Sequence, residues 1–115
     1  MDQIRLQPVN AISGEITLPG SKSLTNRALL LAALASGETR IVNPLFSADT
    51  EHMISALRQL GVEIKKETDN ATVVGNAGLF SKPENESFFL GNAGTAIRPL
   101  TAVLNLVPGK FIVDG

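Results

Sequence analysis

Residues 18–37, LPGSKSLTNRALLLAALASG, constrain this chain more than any other stretch. Two serines and two cations, Ser21, Lys22, Ser23 and Arg27, lead straight into the apolar run ALLLAALA. The pattern predicts a helix over 21–36. Leu24, Ala28, Leu31 and Ala35 share one stripe, which Leu30 and Leu34 widen. Apolarity this broad predicts burial on most sides, with Gly37 placed as the C′ residue. The first N–H groups of a helix lack internal partners and carry the positive end of its dipole. Cations are disfavoured there unless something negative joins them, and an anion answers both needs.

Pro19-Gly20 is expected to turn the chain into this helix mouth, where Ser21 or Ser23 can cap. Ser23 and Arg27, four apart, share a face, so Arg27 can fork onto a phosphate or carboxylate that Ser23 also touches. Lys22 lies about 140° around the helix from Arg27 and approaches from the side, or serves a second anion. Ser-Lys-Ser is also an ordinary capping segment, and the cations can simply be solvated. Spacing alone leaves both readings open. The stretch is not a nucleotide P-loop, because Ser21 separates Gly20 from Lys22.

Residues 90–100, LGNAGTAIRPL, repeat the theme. Gly91 and Gly94 allow close approach of a ligand to the backbone. Thr95 is the expected N-cap of a helix over 95–107, and Pro99 then falls at N4, close to the helix start. Arg98 stands one turn in, as Arg27 does after Ser23. The bland alternative is a tightly packed turn held by Arg98. Two such mouths in one small domain suit a doubly anionic ligand set.

Between these stretches the patterns predict strands at 15–19, 39–44 and 87–90. A helix over 49–60 is capped by Asp49 and stopped by Gly61, with Met53, Ile54, Leu57 and Leu60 inward; Asp49 can alternatively face a site, since an acid near a cation cluster is useful. A hairpin turns around Asp69-Asn70, a surface loop covers 76–86, and a last strand occupies 110–115. Strands alternating with helices mean an α/β fold. The chain ends just as a strand is delivered, and on this pattern it is expected to be a piece of something longer. His52 reads as structural or solvated.

Composition narrows the function classes. Hydrophobic residues at 43% and charged residues at 18% fit a globular chain rather than a disordered one. A net charge of -1 provides no global field for nucleic acid or an anionic membrane. The absence of Trp and Tyr argues against base stacking. With no cysteine and one histidine, neither a thiolate site nor a histidine metal site is available. No apolar run reaches the ~18 residues of a membrane span, and no signal peptide is read at the start.

Together, LPGSKSLTNRALLLAALASG and LGNAGTAIRPL resemble the 3-phosphoshikimate 1-carboxyvinyltransferase (EPSP synthase) family, and the likeness runs the length of the chain. It looks like the bacterial form, since no transit segment precedes Met1. The resemblance implies transfer of the carboxyvinyl group of phosphoenolpyruvate to the 5-hydroxyl of shikimate 3-phosphate, with release of phosphate. It implies no metal or organic cofactor, inhibition by glyphosate, a cytoplasmic location and a monomeric full-length enzyme. By resemblance, Lys22 contacts both substrates and assists proton movement, and Ser23 and Arg27 hold shikimate 3-phosphate. Gly94 offers its backbone to phosphoenolpyruvate, and Asn92, Thr95, Arg98 and Pro99 shape that turn. The fold implied is a βαβαββ unit of a two-lobed, inside-out α/β barrel. Residues 1–20 are then a first strand belonging to the other lobe, and 21–115 the first unit of the N-terminal lobe. Ile97 stands where relatives often carry methionine, a change of similar volume. LTNR replaces the more frequent VSNR, with Thr25 keeping a hydroxyl.

The related enzymes acting on UDP-N-acetylglucosamine typically follow the lysine with asparagine, whereas Ser23 follows Lys22 here. A non-catalytic anion-binding fragment is the alternative from another class. On the family reading, the 115 residues alone are expected to lack turnover.

Overall fold

The computed structural model describes residues 2–115. Its elements run α1 (Lys22–Leu34), β1 (Ser36–Val42), α2 (Ala48–Gln59), β2 (Glu63–Lys66), β3 (Asn70–Asn76), β4 (Ser87–Phe89), α3 (Gly94–Leu104) and β5 (Ile112–Asp114). The expected α/β class is what forms. The hairpin around Asp69-Asn70 forms as read, with Ile64 opposite Val73 and Lys66 opposite Ala71. β3 is the middle strand of an antiparallel sheet ordered β1-β3-β2. β4 and β5 pair in parallel, Phe88 opposite Val113. Parallel neighbours require a crossover, and α3 is that crossover.

α1 is the hub. It packs against α2 and α3 and against β1 and β3. β3 passes so close that a Cβ on Gly75 would strike the carbonyls of Ala32 and Ala35. Leu29, Ala33, Met53, Ile54, Leu57, Val73, Phe88 and Leu100 make one continuous core. The inward set read for α2, Met53, Ile54, Leu57 and Leu60, is fully buried.

The apolar stripe read for α1 fails along its centre, Leu24, Ala28, Leu31 and Ala35, while Leu30, read as widening it, is buried and Leu34 packs against the core. The buried residues of α1 are Thr25, Asn26, Leu29, Leu30, Ala32 and Ala33, while Leu24 and Leu31 are 62% and 66% exposed. A helix apolar nearly all round has no periodic signal with which to choose its face. Gly37 is not the C′ residue either. The helix ends at Ala35 in extended conformation, Ala77 N–H takes the Ala35 carbonyl at 2.9 Å, and Gly37 lies inside β1.

No strand forms at 15–19. Residues 2–20 join neither sheet, and Ile12, Ile16 and Leu18 are largely exposed. A strand needs a neighbouring edge, and none among the described residues takes these. The radius of gyration, 18.3 Å, exceeds the ~13 Å of a compact chain near this length, because this segment lies outside the globular body. No helix among the described residues is long and apolar enough to cross a membrane.

Candidate functional site

Three helix starts converge at one end of the molecule. α1 begins as read, with Ser21 the cap: its Oγ accepts from Leu24 N–H at 3.3 Å. The Ser23 hydroxyl, half-buried, lies 3.5 Å from Ser21 Oγ. Thr25 pins this start in place. Its Oγ1 donates to the Ser21 carbonyl at 2.7 Å and accepts from Leu45 N–H at 3.0 Å. Gly20 is required by crowding, because a Cβ there would strike Asn43 and Leu45 in the loop before α2.

Asp49 is not the cap of α2. Ser47 holds that position, and the Thr50 hydroxyl accepts from Ser47 N–H at 2.8 Å. Asp49 sits in the first turn instead and forms an ion pair with Lys22, Nζ to Oδ2 2.7 Å. The carboxylate supplies the negative charge that makes a lysine tolerable at a helix start. Lys22 remains half-exposed and so keeps donors for a ligand.

Thr95 is not the cap of α3. Ala93 is, and Gly94 is the first helical residue. Pro99 therefore falls at the sixth position, inside the helix, where it cannot donate to the Thr95 carbonyl. The Thr95 hydroxyl faces α1, accepting from Asn26 Nδ2 at 3.0 Å. This bond ties the second helix start to the first. Lys22 and Ser23, four and three residues before Asn26, lie above it on the same side of α1.

The two glycines of the Gly-rich turn have different reasons to be there. Gly91 has φ +55, and a Cβ on it would come within 2.8 Å of His52 Nε2. Fold and packing alone demand it. Gly94 has no such reason, since its backbone is helical and a Cβ would meet nothing within 4 Å. Asn92 and Arg98 are exposed beside it. Neither Arg27 nor Arg98 forms an ion pair among the described residues, and both face solvent. Lys22, Arg27 and Arg98 thus stand on the early turns of α1 and α3, with Asp49 the one carboxylate paired to them. Such a surface offers an anion two unspent guanidinium forks, a lysine and free helix N–H groups.

The site is open. One hollow adjoins the α1 start, between Ser21, Leu24, Thr25 and residues 41–44, two others lie away from it, and none of the three is lined by Ser23 or Gly94. No metal-binding cluster occurs among the described residues. Sequence reasoning missed Asn26, whose signal was an amide inside an apolar helix. His52, read as structural or solvated, is structural: it packs beside Gly91 and edge-on against Phe89, ring centroids 5.4 Å apart. Of the two readings of Asp49, the cap fails and the acid beside the cation cluster holds.

Three comparisons bear on this arrangement. The profile of the family EPSP synthase (3-phosphoshikimate 1-carboxyvinyltransferase) matches residues 6–115. A curated 3-phosphoshikimate 1-carboxyvinyltransferase from Sulfurovum sp. (strain NBC37-1) is 55% identical across 100% of this chain and 27% of its own length. Its counterpart from Colwellia psychrerythraea is 51% identical, over 100% and 28%. A solved EPSP synthase from Acinetobacter baumannii matches with a TM-score of 0.73 at 30% identity, covering 79% of this chain and 21% of that one. The chain therefore spans about a quarter of the length of the curated relatives it matches.

Proposed function

Because the chain belongs to the EPSP synthase family, we propose that it forms the substrate-anchoring part of a 3-phosphoshikimate 1-carboxyvinyltransferase. The 5-hydroxyl oxygen of shikimate 3-phosphate bonds to the enol carbon of phosphoenolpyruvate while the methylene carbon takes a proton. Loss of a proton from that methyl group and of phosphate then restores the double bond. Both substrates carry phosphate and carboxylate, which is what paired, cation-flanked helix starts are suited to hold.

Ser23 and Arg27 hold shikimate 3-phosphate at the start of α1. Lys22 reaches both substrates and assists proton movement. Gly94 presents its N–H to phosphoenolpyruvate at the start of α3, and Asn92, Thr95 and Arg98 shape that turn. The observation that carries this reading is Gly94, a glycine that neither its helical backbone nor any neighbour among the described residues requires. Room for a ligand is the remaining reason for it.

Residues 1–20 belong to the other lobe, which accounts for their exposed Ile12, Ile16 and Leu18. Residues 21–115 make the first unit of the N-terminal lobe. The rest of the catalytic machinery is supplied by the part of the relatives' length that this segment does not span. The same reading makes the whole protein a monomeric, cytoplasmic enzyme that glyphosate inhibits.

The test is a chimaera in which residues 1–115 replace the matching segment of the Sulfurovum relative. Supplied with both substrates, it is expected to yield the carboxyvinyl product and one phosphate per turnover. The 115 residues alone are expected to yield none. A folded chimaera without product, beside an active parent relative, sinks the reading. Product from the isolated segment contradicts its division of labour.

A further inference from the structure

β1 is an edge of its sheet. Its ladder with β3 is bracketed by two bonds, Asn43 N–H to the Asp69 carbonyl and Ala77 N–H to the Ala35 carbonyl. Opposite residues in an antiparallel ladder alternate between bonded and unbonded pairs. The odd-numbered residues therefore face β3, and Ser36, Glu38, Arg40 and Val42 turn their N–H and C=O groups off the sheet. Beside this edge a hollow of about 250 Å³ lies between α1 and β1, with Leu24, Ala28, Ile41 and Pro44 in its lining. An open edge beside an apolar hollow is a template for a further strand.

The second sheet shows which strand fits. Phe88 stands six residues before the first residue of α3 and pairs with Val113, nineteen residues after it. Ile16 and Ile41 stand at the same two distances from the first residue of α1. Around β4, Ile112 N–H donates to the Glu86 carbonyl and Leu90 N–H to the Asp114 carbonyl. Carried over to α1, these bonds call for the Arg40 N–H and the Val42 carbonyl, and both are among the groups that face outward. The side chains agree. In that register Ile16 and Leu18 enter the hollow, as Phe88 enters the core, and Glu15 lies opposite Arg40 on the outer face. Neither Glu15 nor Arg40 has an ion-pair partner among the described residues.

We propose that β1 is the docking edge for residues 14–18 of the same chain, which close on it as a parallel strand with Glu15 opposite Arg40, Ile16 opposite Ile41 and Thr17 opposite Val42. The structure holds this segment open, with its hinge already in place: a Cβ on Gly20 would strike the Asn43 carbonyl at the end of β1. Residues 18–21 join the docked strand to α1, as residues 90–93 join β4 to α3. Closure repeats the crossover that β4, α3 and β5 make. It covers Ile16, Leu18 and Leu24, all exposed in the open form. The docking rests on β1 and not on the functional reading above, in which the segment ends in the other lobe. β1 is its place while that lobe is absent, and closure then keeps an open edge from recruiting other chains.

The 115-residue chain has no cysteine of its own, so paired cysteines in the dilute chain read the register. In Glu15→Cys with Arg40→Cys the two are direct neighbours on adjacent strands. Their disulfide is expected to close within one chain about 10-fold faster than in Glu15→Cys with Glu38→Cys, where a two-residue offset exceeds bridging distance. Equal rates overturn the proposal, because only a loose tether fails to tell the pairs apart. A disulfide between two chains overturns it too, since a second copy then fills the edge. Hydrogen exchange is the independent reading. Ile16→Asp places a charge in the hollow and is expected to speed exchange of the Arg40 amide about 10-fold. The Thr39 amide, which faces β3, is expected to keep its rate. An Arg40 amide that exchanges alike in both chains overturns the docking. No ligand enters these readouts, so their failure leaves the functional reading standing, and an inactive chimaera leaves the docking standing.

Discussion

Lys22 Nζ lies 2.7 Å from Asp49 Oδ2, so the cation at the start of α1 is tied to the first turn of α2. The lysine side chain is half-exposed and the carboxylate about a quarter exposed. Pairs this wet contribute ~0.2–1 kcal/mol to stability. The value of the pair is placement: a long, flexible side chain is held where both ligands are expected to bind.

Lys22→Ala in the chimaera therefore separates stability from chemistry. The melting temperature is expected to move by only a few degrees, following the small pair energy. Turnover is expected to fall by about 10² or more, as when a preorganised charge is removed from a reacting centre. A loss of turnover that merely tracks a loss of folded protein contradicts the role given to Lys22.

Gly91 and Gly94 predict opposite responses to the same change. Gly91→Ala places a Cβ against His52 in left-handed backbone, which is expected to cost ~1–3 kcal/mol. Gly94→Ala enters open space at a helical position and is expected to leave stability unchanged or raise it by ~0.4–1 kcal/mol. It is nonetheless expected to weaken phosphoenolpyruvate and glyphosate binding more than shikimate 3-phosphate binding. Denaturation curves and calorimetry on both variants check this. Equal losses for all three ligands would remove Gly94 from the second site.

Leu29 and Leu31 sit two residues apart in α1, one fully buried and the other two-thirds exposed. In urea denaturation of the 115-residue chain, Leu29→Ala is expected to cost ~2–5 kcal/mol. Leu31→Ala is expected to cost no more than ~0.5 kcal/mol. Similar costs would restore the stripe that the α1 sequence suggested.

That pair also shows what was legible in the sequence. α2 was readable because its polar and apolar residues segregate, and Met53, Ile54, Leu57 and Leu60 went inward as spaced. The hairpin was readable because Asp69-Asn70 divides two alternating strands. α1 offered no contrast, so only the packing of α2, α3 and β3 around it decides which side is buried. The helix starts were found by composition but misplaced by position. A hydroxyl or carboxylate near a helix start looks like a cap, yet Thr95 and Asp49 both turn to α1 instead. Such cross-chain partners leave no local trace. Residues 15–19 read as a strand because pattern reports propensity, whereas pairing depends on an edge being engaged.

Thr25 gives a further separation, between a cap and a clamp. Ser21→Ala removes an exposed cap whose bond to Leu24 N–H is long, 3.3 Å, and the expected cost is ~0.5–1 kcal/mol. Thr25 is 4% exposed and uses one oxygen twice, donating to Ser21 and accepting from Leu45. Thr25→Val keeps the volume but leaves the Leu45 N–H without its acceptor and the Ser21 carbonyl without one of its donors. A stranded donor costs more than a lost cap, so ~1–3 kcal/mol is expected. The loop before α2 should loosen along with α1, since Leu45 precedes Ser47 and Asp49. Hydrogen exchange reads this directly: the Leu45 amide is expected to lose protection in Thr25→Val and to keep it in Ser21→Ala. If both variants lose it alike, Thr25 is not what fastens the loop to the start of α1.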